Sequence, residues 1–250
     1  MIGSILLSIL FVAASESLDY TATARNFSIE LVYFTQTKTD HEVVLAPFGL
    51  WSLMGQVAFA ANGPTRYELQ RTLISNASNE DNYFNNLDKL MSRLKEPSDG
   101  VEMIIKNFLF RDQSLKVPLD FVTRVEQTKG NIWSLDFTDV TAPRLLNTII
   151  KSNTKFPIPV FGPNDFNETD LIFSNVFSFK GLSEEPLYVE TIEQRARIFV
   201  TEEGVDAYAT IPANLEIATR TNPNYAQPFI FFIVHKSTVT ILMGGIYGKS

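Results

Sequence analysis

The chain has 250 residues, 45% of them hydrophobic, enough apolar side chain to bury one sizeable core. A net charge of −7 with no run of Lys or Arg argues against nucleic acid and anionic membrane as partners. There is no cysteine, which excludes a disulfide staple, a thiol nucleophile and a Cys-based zinc site.

The apolar run Ile2–Ala14 ends in the small residues Val12-Ala13-Ala14-Ser15. It is too short to span a bilayer and reads as a secretory signal peptide, cut between about Ala14 and Ser17. Residues 1–15 are thus a leader, and 16–250 form a single domain in an extracellular, secreted protein. Three sequons, at Asn26, Asn76 and Asn167, suit glycosylation in that setting.

Asp19 to Phe34 reads as a first helix, followed by a polar turn and a strand from Glu42 to Leu45. Leu50 to Ala61 is apolar almost all round, as in a buried helix. Asn62-Gly63 closes it, and Thr65-Arg66-Tyr67-Glu68 is a capping box for the next helix. Phe84, Leu87, Leu90, Met91 and Leu94 recur at helical spacing between Asp81 and Lys95. A strand (Val101–Phe110), a helix (Pro118–Lys129) and a strand (Asn131–Phe137) come next. Leu145, Leu146, Ile149 and Ile150 share a face on a helix from about Pro143 to Ser152. A Pro-rich loop, Phe156 to Pro163, leads to strands at Leu171–Phe179 and Ala196–Glu202. A mobile loop and a hairpin, Phe229 to Ile246, end the chain. Helices and strands are mixed without strict alternation, so the fold class is α+β.

No catalytic machinery is visible. The only histidines are His41 and His235, placed at turns beside strands, and no Gly-x-Ser-x-Gly elbow or phosphate-cradling loop is present. Neither a metal site nor a cofactor is implied, and the chain does not read as an enzyme.

The informative segment is the last fifty residues. Val205, Ala207, Ala209 and Ile211 alternate with Asp206, Tyr208 and Thr210, so as a strand one face would be small and apolar. Glu202-Glu203-Gly204-Val205-Asp206-Ala207-Tyr208-Ala209-Thr210, with the apolar runs Pro228–Val234 and Thr240–Gly245, resembles the hinge, reactive loop and terminal strand pair of the serpins. Leu45–Leu53 is similar to that family's strand-to-helix entry, and Phe173–Gly181 to the end of its third central-sheet strand.

The resemblance implies a serpin-like fold with helices around a central sheet, and inhibition of a serine protease by cleavage and insertion of the loop at about 204–226. It assigns Glu202, Glu203, Gly204, Val205, Ala207 and Ala209 to the hinge. It puts the scissile bond near Ala218-Thr219 for an elastase-like enzyme, or at Arg220 for a trypsin-like one. It assigns Asn175, Gln194 and Gly49 to a polar cluster that gates the sheet. Asn175 keeps the family's residue, whereas Ala46 and Gly49 replace serines and Gln194 replaces a histidine.

The resemblance also implies a missing block between Gly181 and Gln194, where the family carries roughly a hundred further residues. If the flanking strands ran parallel, as in the family, the Leu182–Glu193 link would be a strap returning roughly 30 Å along the sheet. The loss would leave the C-terminal hairpin short of neighbours and open to self-association. Pro212 lies inside the stretch that must become a strand. Two readings therefore stand: a protease inhibitor, or a non-inhibitory serpin-like binding or decoy-substrate protein, cut without trapping.

Overall fold

The computed structural model describes residues 19–38, 43–73, 80–96, 101–128, 130–154, 161–166, 169–181, 187–189, 192–200, 205–210, 217–219 and 229–247. The expected leader, His41, Asn76 and Asn167 lie outside them, as do Glu202–Gly204, Pro212 and Arg220.

The first helix, α1 (Asp19–Gln36), turns Thr21, Ala24, Ser28 and Val32 inward at helical spacing. Strand β1 (Val43–Leu45) leads into α2 (Pro47–Ala60), which starts three residues earlier than its apolar run predicts. Pro47 explains the early start, since a proline at the first helical position needs no hydrogen-bond acceptor and has its φ preset. The helix is buried nearly all round. Its Trp51 is fully buried and donates Nε1–H to the Leu73 carbonyl (2.9 Å) at the end of α3 (Gly63–Leu73). Gly63, at φ +58°, takes the left-handed turn between these helices. Thr65 therefore sits inside the first turn of α3 rather than capping it.

Helix α4 (Glu80–Leu94) buries the five apolar residues its periodicity singles out. They pack with Phe48, Trp51, Phe59 and Tyr83 in one core. Strand β2 (Val101–Asp112), α5 (Leu119–Gln127) and β3 (Asn131–Leu135) follow, with β3 parallel to β2. Asp112 fastens the end of β2. Its carboxylate accepts from the Ser114 N–H (2.8 Å) and hydroxyl (2.5 Å) and from the Phe137 N–H (2.9 Å). Partial burial raises its pKa, but these donors outweigh that and hold the group below the ordinary carboxylate value.

Helix α6 (Ala142–Thr154) and a 3-10 turn (Pro163–Phe166) precede β4 (Leu171–Gly181). Of the four residues expected on one apolar face of α6, Leu146 and Ile150 are buried and Leu145 stays 45% exposed. Strand β4 carries buried apolar side chains on both sides because both sides are covered. Phe173, Phe177 and Phe179 face α2, α4 and α5, whereas Ile172 and Val176 join Phe108 and Phe110 beneath α6. Beyond β4 lie β5 (Leu187–Val189), β6 (Ile192–Val200), β7 (Val205–Thr210), β8 (Ile217–Thr219), β9 (Phe229–His235) and β10 (Thr240–Tyr247).

Among the described residues three sheets result: a five-stranded one in the order β3-β2-β4-β6-β7, a three-stranded one in the order β1-β10-β9, and the pair β5-β8. The first corrects one expectation. β4 and β6 run antiparallel, from Leu171 opposite Val200 to Phe179 opposite Ile192. The link between them therefore closes a hairpin-like return at one end of the sheet, instead of a strap along its length. The C-terminal hairpin forms as predicted, with β9 at the edge of its sheet and Ile230 and Val234 left 44% and 43% exposed. His235, at the end of β9, bonds through Nδ1 to the Thr238 hydroxyl (2.7 Å) in the hairpin turn.

Candidate functional site: a sealed sheet seam and the segment beyond it

Two asparagines sit in the apolar middle of the large sheet. Asn107 on β2 and Asn175 on β4 are directly opposite each other and buried. Each must find partners inside the protein, because an unmet buried amide costs about 1–3 kcal/mol. Asn175 donates Nδ2–H to Asn107 Oδ1 (2.7 Å), and more weakly to the Lys106 carbonyl (3.4 Å). Asn107 in turn donates to the Ser52 hydroxyl on α2 (3.2 Å), and that hydroxyl donates to the Gly49 carbonyl (2.9 Å). The relay returns to its starting point, since the missing side chain of Gly49 is the space that the Asn175 amide fills. A Cβ at position 49 would stand 3.0 Å from Asn175 Cγ and closer still to Oδ1. Asn175 Oδ1 is buried and has no hydrogen-bond partner among the described residues.

Asn175 and Gly49, two of the three gating residues named from the sequence, are thus in contact. Gln194 lies on β6 opposite Phe177, and it is Ala196 that stands opposite Asn175. Asn107 and Ser52 complete the cluster and were missed by sequence reasoning. The available signal was a lone amide within the apolar run Met103–Phe110.

Val205–Thr210, the described part of the expected hinge, forms a strand. β7 pairs antiparallel with β6, Val205 opposite Val200, Ala207 opposite Ile198 and Ala209 opposite Ala196. It forms the outer edge of the sheet and does not enter between β4 and β6. All nine residues of β6 are paired to β4 along that seam. Ala218 and Thr219 lie on β8, which pairs with β5. The Asn26 sequon falls within α1, with Asn26 exposed, while its Ser28 is buried and bonded to the Ala24 carbonyl (2.6 Å). Among the described residues no group of three or more His, Asp or Glu converges to hold a metal. None of the helices described is long and apolar enough to cross a membrane.

The architecture is thus a helix-covered five-stranded sheet with β7 at its edge, beside a separate sheet that carries the C-terminal hairpin. The family model for the serpins, serine protease inhibitors, matches residues 22–182 and again 168–248, and the chain belongs to this family. The two matches overlap on β4, next to the position where the sequence resemblance breaks. The chain is 24% identical to glia-derived nexin of Rattus norvegicus over 217 residues, covering 83% of this chain and 53% of that protein. It is equally similar, at 24% over 237 residues, to glia-derived nexin of Mus musculus, covering 91% and 58%. It therefore spans about half the length of these curated relatives.

Among solved structures, native protease nexin-1 with heparin superposes at a TM-score of 0.64 with 13% identity, covering 94% of this chain and 100% of that one. Cleaved Serpin 42Da gives 0.62 with 13% identity, covering 93% and 97%. Emu (Dromaius novaehollandiae) ovalbumin gives 0.57 with 12% identity, covering 78% and 64%. At such identities the likeness is one of fold.

Proposed function

We propose that this protein is a secreted serpin that presents residues 204–226 to an extracellular serine protease, elastase-like or trypsin-like, and is cut there without trapping the enzyme. Membership of a protease-inhibitor family supports the protease as partner. The single observation favouring release over trapping is the seam between β4 and β6. Insertion beside β4 would have to part β4 from β6, and all nine residues of β6 are paired along that edge. Pro212, which cannot donate to a ladder, and the altered gating residues Gly49 and Gln194 support the same reading.

Incubation with one elastase-like and one trypsin-like enzyme, followed by denaturing electrophoresis, tests this. The expected result is clean cleavage near Ala218 or Arg220 with full recovery of protease activity. A covalent complex that survives SDS returns the decision to the inhibitory reading. Secretion has its own test. The protein should reach the medium with a new amino terminus between about residues 15 and 18. N-glycanase should lower its mass through Asn26, Asn76 or Asn167. An intact Met1 inside the cell, without glycan, would remove the extracellular assignment.

A further inference from the structure

One of the two short strands outside the larger sheets bears directly on the proposed cleavage segment. β8 carries the Ala218–Thr219 bond, and β5 lies antiparallel beside it, Leu187 opposite Thr219, Tyr188 opposite Ala218 and Val189 opposite Ile217. β5 belongs to the short link that joins β4 to β6. The link that stands in place of the missing block thus pairs with the candidate scissile bond.

A serine protease takes its substrate as an extended strand. It reaches the residues around the scissile bond through their backbone N–H and C=O groups, as added strands are bound generally. One edge of β8 is engaged by β5, and a strand held in a ladder cannot at the same time lie at the bottom of a cleft. We propose that β5 is an intramolecular clip that masks the Ala218–Thr219 bond, so that a protease gains the bond only when the three-residue pairing opens. This rests on the reading that a protease acts within residues 204–226. A pair of three-residue strands is marginally stable alone. The clip therefore opens spontaneously, and it slows cleavage rather than abolishing it.

The chain has no cysteine, so two introduced cysteines can form only one intramolecular disulfide. In the full-length Val189→Cys/Ile217→Cys variant, opposed Cα atoms of an antiparallel pair are about 4.5–5.5 Å apart, within disulfide reach. Mild oxidation is expected to close the bridge, read as loss of both free thiols in a monomer. The oxidised form should then be cut by an elastase-like enzyme at Ala218–Thr219 about tenfold or more slower than the same protein after reduction, since cleavage follows the open population. Tyr188→Pro, whose ring is poorly tolerated within a paired strand and which leaves the scissile residues untouched, should be cut faster than the parent, and it decides the matter if the cysteine pair does not fold. Failure of the bridge to form in a folded variant, or equal cleavage rates in the oxidised and reduced forms, overturns the clip. If the bridge forms but neither reduced variant nor parent is cut anywhere in 204–226, the protease-site reading itself has failed and the masking role goes with it.

Discussion

The Asn175 amide occupies the volume that a side chain at Gly49 would need, so each residue sets what the other can be. Alanine at 49 gains roughly 1 kcal/mol of helix propensity over glycine. It also places a methyl 3.0 Å from Asn175 Cγ, and the amide is held in place by Asn107. Overpacking of that kind costs about 1–3 kcal/mol. Gly49→Ala should therefore destabilise the protein by a net amount of about 1 kcal/mol or somewhat more in urea denaturation. Gly49→Ser should recover part of the loss by offering a hydroxyl to Asn175 Oδ1. If Ser is no better than Ala, Oδ1 is not the acceptor in want of a donor.

The asparagine pair should behave as a unit. Asn107→Leu removes the 2.7 Å acceptor of Asn175 and leaves a buried donor poorly met, costing about 1–3 kcal/mol. Removing both amides, as Asn107→Leu/Asn175→Leu, exchanges two buried polar groups for apolar ones of similar size. A double-mutant cycle by equilibrium denaturation should give the double variant at least about 1 kcal/mol more stability than the sum of the singles predicts. Simple additivity would mean that the two amides do not depend on each other.

Asp112 supplies a pH dependence. Its folded pKa lies below the ordinary value, so folding favours its ionised form. The stabilisation is complete above the unfolded pKa of about 3.9, and it is lost as pH falls through that value toward the folded one. Asp112→Asn should cost about 1–2 kcal/mol at pH 7, from weakened acceptance of the Ser114 and Phe137 donors. The difference from the parent should narrow as the pH is lowered from 7 to below the unfolded value. An equal loss at both pH values would point to geometry instead of charge.

Cleavage at Arg220 should change the melting temperature by no more than a few degrees. A freed strand stabilises a sheet by acquiring a full ladder and buried neighbours, and the edge of β4 is already occupied along β6. Calorimetry of cut and uncut protein is sufficient. A rise of tens of degrees would show that β6 can be displaced.

The edge of β9 carries Ile230 and Val234 in the open and has no charged residue between Phe229 and Val234. Such an edge invites pairing with another chain. Ile230→Lys and Val234→Lys should each alter stability by under about 1 kcal/mol, because neither side chain is buried. Both should lower any self-association seen by sedimentation. Identical sedimentation of parent and variants would place the contact elsewhere.

The helices were legible because their signals are local. The apolar spacing of α4 and the all-round apolarity of α2 need nothing beyond neighbouring residues. Strand direction is a different kind of information. Nothing in Phe173–Phe179 or Ala196–Val200 states whether the two run parallel, and the family resemblance supplied the wrong direction for a chain with so short a link. The polar cluster was legible where single residues could be matched, as at Asn175 and Gly49, which are in contact. Asn107 and Ser52 join it only because register and helix packing bring them there. Leu187–Val189 and Ile217–Thr219 are too short to announce themselves as strands, and their partnership exists only in three dimensions.

The antiparallel return between β4 and β6 also bears on how the sheet is reached. Parallel neighbours must wait for a long excursion of chain to come back before any pair can form. Here Phe179 and Ile192 are close along the chain, and once they meet, each pair draws in the next until Leu171 reaches Val200. The seam can zip shut from its near end, on the timescale of a hairpin. It has no need to persist half-made while a distant strand is awaited.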